Sequence, residues 1–416
     1  EPERKALRAR PTDNIEAYDL YLRSSEHIYN GYRMNDINEY EQGVTLLEKA
    51  IELDSDFIFA YVYLANVHSY LYLVGMDRSQ ERQEKAREAI DLLLELGPDL
   101  PETQWVLMNY YFRVLKDYDR VLEIYESIKK TSPNISPGYL GSIHQAKGNW
   151  QQAAKNYEEA FRRNPRAEGL AHDLGLCYER MRKFEKAEEW FDRSLSIRAD
   201  SIWPQFGKVR VAYLSNGDTK KALALLERVP SHKFKDYWRY IIGMLDRDYD
   251  EMIMHLSSLS YELAEANHFY FQKHIALASV YHAKKEFALM RIHADQARIS
   301  LEKLREERPQ DARLHSSLGL AYAYLGRKEE AVREGRRGVN LYPVSKDAYG
   351  GTHHVYHLAW NYTVVGEYEE ALDQLEFLMS IAAGEVATVA LLRLDPKWDP
   401  LRENPRFKRL VEEYSK

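Results

Sequence analysis

The feature that most constrains this chain is a spacing that returns. A large apolar residue, a small one and another large one recur at fixed offsets, with a period near 34 and a proline or polar break closing each unit. A chain built this way folds as stacked helical units, because each unit has an apolar face that only its neighbours can bury. Trp105, Met108, Phe112, Val121, Tyr125, Ile128 and Pro133 make one clear copy. Leu140-Gly141, His144, Ala153, Tyr157, Ala160 and Pro165 make the next, followed by Leu174-Gly175, Tyr178, Ala187, Phe191 and Ser194. Toward the C-terminus come Leu318-Gly319, Tyr322, Gly326, Ala331 and Pro343, then Leu358-Ala359, Tyr362, Gly366, Ala371 and Leu375. The small residues let two helices approach closely, the large ones fill the space between layers, and the proline stops the second helix.

Elsewhere the copies are looser. Residues 60–98 fit once the charged segment Asp77 to Gln83 is treated as an insert. Residues 14–55 read as a first pair with a longer turn around Asn30-Gly31, and residues 203–229 keep Tyr213, Gly217 and Ala222 in register. The stretch 233–262 keeps the aromatic start Tyr237-Trp238 but loses the small residues, and 263–308 reads as two long helices joined near Lys284-Lys285. This order resembles the tetratricopeptide repeat. The resemblance implies an all-α chain, a right-handed α-α superhelix of about ten helix pairs. Residues 14–384 are the expected solenoid, degenerate near 233–308. Residues 1–13 are expected as a linker from a missing N-terminal part, and 385–416 as a C-terminal capping segment.

Composition narrows the class. With 45% apolar and 30% charged residues the chain is neither a disordered tail nor a membrane bundle. Lys plus Arg total 58 against 65 Asp plus Glu, a formal charge of −7 and no basic footprint for nucleic acid. A single cysteine, Cys177, excludes an internal disulfide and any CxxC site. Next to the core position Tyr178, it reads as a packed thiol. Phe57 to Met76 carries no charge and has the length of a membrane span. Asn66, His68, Ser69 and four tyrosines interrupt it, and no Lys/Arg anchors flank it, so the repeat register accounts for it better. The chain opens on Glu1-Pro2-Glu3-Arg4-Lys5, without an initiator Met or an apolar signal region, and is expected to be a piece of something longer.

The two ends carry a more specific resemblance. Arg10-Pro-Thr-Asp-Asn-Ile-Glu-Ala-Tyr-Asp-Leu-Tyr-Leu-Arg23 is similar to the opening of the repeat region in bacterial multidomain signalling proteins. In these, a tetratricopeptide half follows a serine/threonine kinase, a class III nucleotide cyclase or a winged-helix regulator. Lys328 to Gly335, Pro343 to Asp347, Gly366 to Glu376 and Leu394-Asp-Pro-Lys-Trp-Asp-Pro-Leu-Arg-Glu-Asn-Pro-Arg-Phe407 resemble the same family. The resemblance implies a sensory or docking half whose effector domain is absent here. Some such proteins carry a membrane segment between the halves and others are wholly cytoplasmic, so the compartment stays open.

Catalytic signatures are missing: no GxxxxGK[ST] loop, HExxH helix, GxSxG elbow, kinase or cyclase motif occurs. The chain is therefore expected to have no enzymatic activity and no cofactor. His353 and His357 stand four apart, on one helical face where a metal could bind; no third ligand is close in sequence, and His315 of the preceding first helix is the one candidate to approach. The reading preferred here is structural, with no metal. Gly335 and Gly338 stand where an aromatic residue and an alanine are usual, each costing about 1 kcal/mol of helix stability against alanine. A bulky neighbour such as Trp360 or Tyr356 is expected to fill the gap; the competing reading is a point of flexure.

In this repeat the first helix of each pair lines the concave surface. The register places Phe59, Val62, Asn66 and Tyr70 there, then Val106, Tyr110 and Arg113, then His172, Glu179 and Arg180, then Ser316, Tyr324, His353, Tyr356 and Trp360. The binding groove is therefore expected from Phe59, Asn66, Tyr70, Tyr110, Arg113, His172, Arg180, Tyr324, His353, Tyr356 and Trp360. The Lys and Asn set with which chaperone-binding arrays clamp a terminal carboxylate is not reproduced, since Val62 stands where the lysine belongs. Tyrosine gives contact area at low entropy cost, which suits an extended peptide or a partner's loop. The expected function is a non-catalytic protein-interaction module, the docking half of a bacterial signalling protein. The alternatives are a superhelix that closes around a small molecule, and a dimerisation scaffold for a linked kinase or cyclase. A further alternative leaves the groove filled by the array's own terminal helices.

Overall fold

The computed structural model describes residues 12–34, 36–265 and 268–415. Residues 1–11, which hold most of the expected linker, lie outside the described residues. The fold is all-α, of the tetratricopeptide superhelix class that the spacing predicts. The chain divides between Ile135 and Ser136 into two compact units.

Among the described residues unit 1 holds three helix pairs: α1 (Ile15–Met34) with α2 (Ile37–Leu53), α3 (Ile58–Val74) with α4 (Gln80–Leu96), and α5 (Pro101–Tyr110) with α6 (Tyr118–Thr131). The first turn lies at Asp36, which caps α2 by accepting from Asn38 N at 2.9 Å, and not at Asn30-Gly31. Gly31 is inside α1, where a Cβ would come within 2.8 Å of the Tyr40 ring; it admits a core aromatic and does not make a turn. The expected insert, 77–83, is a short connection that runs into the first turn of α4, and one of its side chains is buried. Ser79 caps α4, and Arg82 is buried between Asp77 (2.9 Å), Glu41 and His68 Nδ1 (2.8 Å). Burial and the Arg82 charge push His68 down to about 3. Beyond α5 the backbone widens into a π turn, Tyr111–Leu115.

Among the described residues unit 2 holds seven pairs. Four come first: α7 (Gly138–Ala146) with α8 (Trp150–Arg163), α9 (Glu168–Arg180) with α10 (Phe184–Ile197), α11 (Ile202–Asn216) with α12 (Thr219–Arg228), and α13 (Lys233–Asp246) with α14 (Tyr249–Ser258). Three follow: α15 (Lys273–Ala283) with α16 (Phe287–Glu307), α17 (Ala312–Tyr324) with α18 (Lys328–Leu341), and α19 (Gly351–Val364) with α20 (Tyr368–Ser380). Close packing within pairs explains the small residues: at Gly175 a Cβ would lie 2.4 Å from the Phe191 ring. The turn inside most pairs carries one left-handed residue. Glycine serves there at five places, but Lys116, Arg182, Arg247 and Lys285 do so with φ between 57° and 62°.

Two parts of unit 2 depart from the expected pattern. Residues 263–308 do not begin with a helix. Leu263–Glu265 (β1) and Tyr270–Gln272 (β2) pair antiparallel with Ala264 opposite Phe271, and both of those side chains are buried. The tail from Glu385 does two things. Its last helix, α22 (Pro405–Glu413), packs on α20, the second helix of the last pair. The segment before it, α21 (Val389–Leu394) and a 3-10 turn (Pro396–Leu401), runs inward against α11, α13, α15 and α19. Gly335 and Gly338 are also filled differently: a Cβ there would meet Asn361 Nδ2 at 2.7 Å and Ser316 Oγ at 2.4 Å, and not Trp360 or Tyr356.

Candidate functional site

The eleven expected groove residues fall into two settings. In unit 1, α3 presents Phe59, Val62, Asn66 and Tyr70 along one face, three to four residues apart. Phe59 is 38% exposed, and Asn66 and Tyr70 are partly exposed. The π turn after α5 sends Arg113 to the Asn66 carbonyl at 3.4 Å and to its side-chain oxygen, with the guanidinium 5.8 Å from the centre of the Tyr70 ring. Burial and the neighbouring Tyr32 raise the Tyr70 hydroxyl to about 12, so it stays a neutral donor. Tyr110 is corrected: at 3% exposure it belongs to the core.

The same face holds aromatic residues that the sequence reading missed. Tyr32 of α1 lies 6.2 Å from Tyr70, and Tyr21 lies 5.8 Å from Tyr63 and 6.3 Å from Tyr18. The irregular first pair left them without a repeat position. Tyr18, Tyr21 and Tyr32 do follow helical spacing along α1, with Ser25 between them in the same register, and that periodicity was the available signal.

In unit 2 the expected groove is an interior. Arg180, Tyr324, His353 and Trp360 are buried, which removes them from an open surface. Tyr356 is half-buried and deeply enclosed, and His172 keeps part of its edge exposed beside Phe191, 5.9 Å away. The physical reason is the tail. Arg180 forms an ion pair with Glu385, donates to Thr352 Oγ1 at 3.1 Å and lies 4.2 Å from the centre of the Tyr349 ring. His353 Nε2 stands 3.6 Å from the same carboxylate. Burial alone would raise the Glu385 carboxyl, but Arg180 and His353 hold it well below the ordinary range. Next to it, Arg210 grips the fully buried Glu179 through Nε and Nη2, each at 3.0 Å.

Further along, Lys397 of the tail donates to Tyr356 Oη at 2.6 Å and to Asp395 at 2.7 Å, with its ammonium 4.5 Å from the centre of the Trp360 ring. Trp360 Nε1 donates to Tyr324 Oη at 3.0 Å. A cavity of about 50 Å³ remains among Tyr237, Tyr240, Phe271, Tyr356, His357 and Lys397. His357 Nδ1 is buried there without a partner, and burial drives its ring well below the usual histidine range.

His315 is held elsewhere, by Glu334 at 2.6 Å and the Pro309 carbonyl at 3.0 Å. Among the described residues no group of three or more His, Cys, Asp or Glu side chains is placed to hold a metal ion, and no helix is long and apolar enough to cross a membrane. A larger cleft, about 880 Å³, opens between α18 and α20. Its Lys328, Arg333, Arg336 and Arg337 are matched by Glu329, Glu334, Glu367 and Glu370, and it contains no expected groove residue.

Helix pairs with aromatic inner positions, together with a match of residues 134–200 to the Tetratricopeptide repeat family, define the class: a tetratricopeptide-repeat protein. Over 208 residues the chain is 23% identical to anaphase-promoting complex subunit 3 of Schizosaccharomyces pombe, covering 47% of this chain and 30% of that protein. It is 26% identical over 140 residues to the BBSome complex member BBS4 homolog of Drosophila melanogaster, covering 33% and 27%. The chain thus spans less than a third of the length of these curated relatives. Among solved structures, the human IFIT1 dimer with PPP-AAAA superposes with a TM-score of 0.42 at 15% identity, over 73% of this chain and 69% of that one.

Proposed function

We propose that this chain is a protein-interaction scaffold that holds an extended partner segment on the aromatic face of unit 1. The observation that carries this is the partly exposed set Phe59, Asn66, Tyr70 and Arg113, with Tyr32, about half exposed, and Tyr63 beside it. Exposed aromatic patches of this kind mark binding surfaces, and tyrosine and arginine dominate binding energetics. The names of the two curated relatives describe members of multiprotein complexes, which supports the same reading. The finer reading, the docking half of a bacterial multidomain signalling protein without catalysis of its own, rests on the resemblance of the two ends.

A photoreactive phenylalanine at position 59 tests the site, with the same group at Phe287, exposed on α16, as control. The proposal expects a partner captured at 59 and not at 287. Tyr70→Ala should cost that partner about 1–3 kcal/mol of affinity. Equal capture at both positions overturns the proposal.

A further inference from the structure

The interior of unit 2 has the chemistry of a binding site that already holds an occupant. The host groups come from the inner faces of first helices: Arg180 on α9, Arg210 on α11, and Thr352, His353, Tyr356 and Trp360 on α19. The occupant comes from outside the repeats. Its anchors are Glu385 on Arg180 and His353, Lys397 against Tyr356 and Trp360, and Trp398, whose ring lies 5.8 Å from Tyr356. A carboxylate on an arginine, a cation on aromatic faces and a buried tryptophan are the anchors by which a peptide is recognised.

Three observations separate this arrangement from ordinary core packing. First, at the Arg180 end the charges divide by origin, whereas Lys397 is neutralised by Asp395 of the tail itself. The host contributes Arg180 and Arg210 against one acid, Glu179, and the tail supplies the missing carboxylate through Glu385. Second, the fit is incomplete. The 50 Å³ cavity lies at the Lys397 end, and His357 Nδ1 and Arg180 Nε are buried without partners, whereas native interiors satisfy nearly all such groups. Third, the segment enters over a close backbone crossing at Gly384, whose N–H donates to the Arg180 carbonyl at 2.9 Å. A Cβ on Gly384 would lie 2.2 Å from the Glu179 carbonyl oxygen, so the seat tolerates no side chain there.

We infer that residues 385–401 are a resident ligand, exchanged in trans for a partner segment that carries a carboxylate and, further along, a Lys-Trp pair. Trp398 and Leu401 are at most 1% exposed, so the segment does not leave an empty interior behind; the incoming chain must bring an aromatic residue of similar size. All of these residues lie in unit 2, so the inference stands or falls separately from the unit 1 reading.

The test uses the full chain and a fluorescent synthetic peptide of residues 383–402, with a Glu385→Lys peptide as control. Gly384→Ala obstructs the seat of the tail and leaves every host group in place. The variant should bind the peptide at least tenfold more tightly than the natural chain does, and neither should bind the control. Native-state hydrogen exchange on the natural chain provides the second measurement and does not depend on the variant folding. Amides of 385–401 should exchange through an opening that leaves α17 and α19 protected. A folded Gly384→Ala chain with no gain in binding overturns the inference. So does exchange of 385–401 only at the rate of global unfolding.

Discussion

Arg180 and Glu385 form an ion pair across 205 residues of sequence, and the Arg180 side chain is wholly buried. The contact joins the inner face of α9 to the tail and determines what the interior of unit 2 is. Removing one partner of a buried pair leaves a charge stranded in a poor solvent, at about 3–5 kcal/mol. Glu385→Ala is therefore expected to destabilise the chain by that amount in urea unfolding. The double variant with Arg180→Ala should lose clearly less than the sum of the two singles, because the two residues share one interaction.

The pH dependence has a definite sign. His68 is pushed down to about 3 in the folded chain, first by burial and then by Arg82. The unfolded chain, with a histidine near 6.5, then binds more protons, so stability rises with pH between the two values. Stability should be at its full value above about pH 6.5 and fall progressively toward pH 3. Glu385 acts in the same direction at lower pH: its carboxyl is held down by Arg180 against burial, so its contribution is lost only below the ordinary glutamate range. Urea midpoints for the natural chain and His68→Gln between pH 7 and 5 should differ in slope, with the variant flatter.

Burial separates the expected groove residues energetically. Trp360→Ala removes a buried ring that also donates to Tyr324, and should cost about 3–5 kcal/mol, as a core deletion does. Phe59→Ala, at a position 38% exposed, should cost clearly less, about 1 kcal/mol. Thermal melts of the two variants give the comparison without any partner.

Lys285 offers the opposite effect. It sits at φ 62° in the turn before α16, a conformation that costs a residue with a Cβ about 1–2 kcal/mol. Lys285→Gly should raise stability by up to about 1 kcal/mol, once the greater flexibility of glycine in the unfolded chain is counted. A melt at or below that of the natural chain would show that this turn is not strained.

The repeats at 105–194 and 318–375 were legible because close helix pairing requires small residues such as Gly175 opposite large ones such as Phe191, at fixed spacing. The strand pair Leu263–Glu265 and Tyr270–Gln272 was not, since three-residue strands leave no period to detect and Phe271 reads equally well as helix core. The inner positions were legible too, but not their state. An aromatic residue such as Trp360 occupies the same register whether the groove is open or filled. What fills it, Glu385 and Lys397, lies outside the repeats, and no local pattern encodes its pairing with Arg180, Tyr356 and Trp360.

The central claim is that the inner face of unit 2 is closed by the chain's own tail while the aromatic face of unit 1 stays accessible. Hydroxyl-radical footprinting of the natural chain, read residue by residue by mass spectrometry, tests it directly. Tyr32, Phe59 and Tyr63 should oxidise readily, and Tyr324, Trp360 and Trp398 should be protected. Oxidation of Tyr324 and Trp360 as fast as that of Tyr32 would contradict the account.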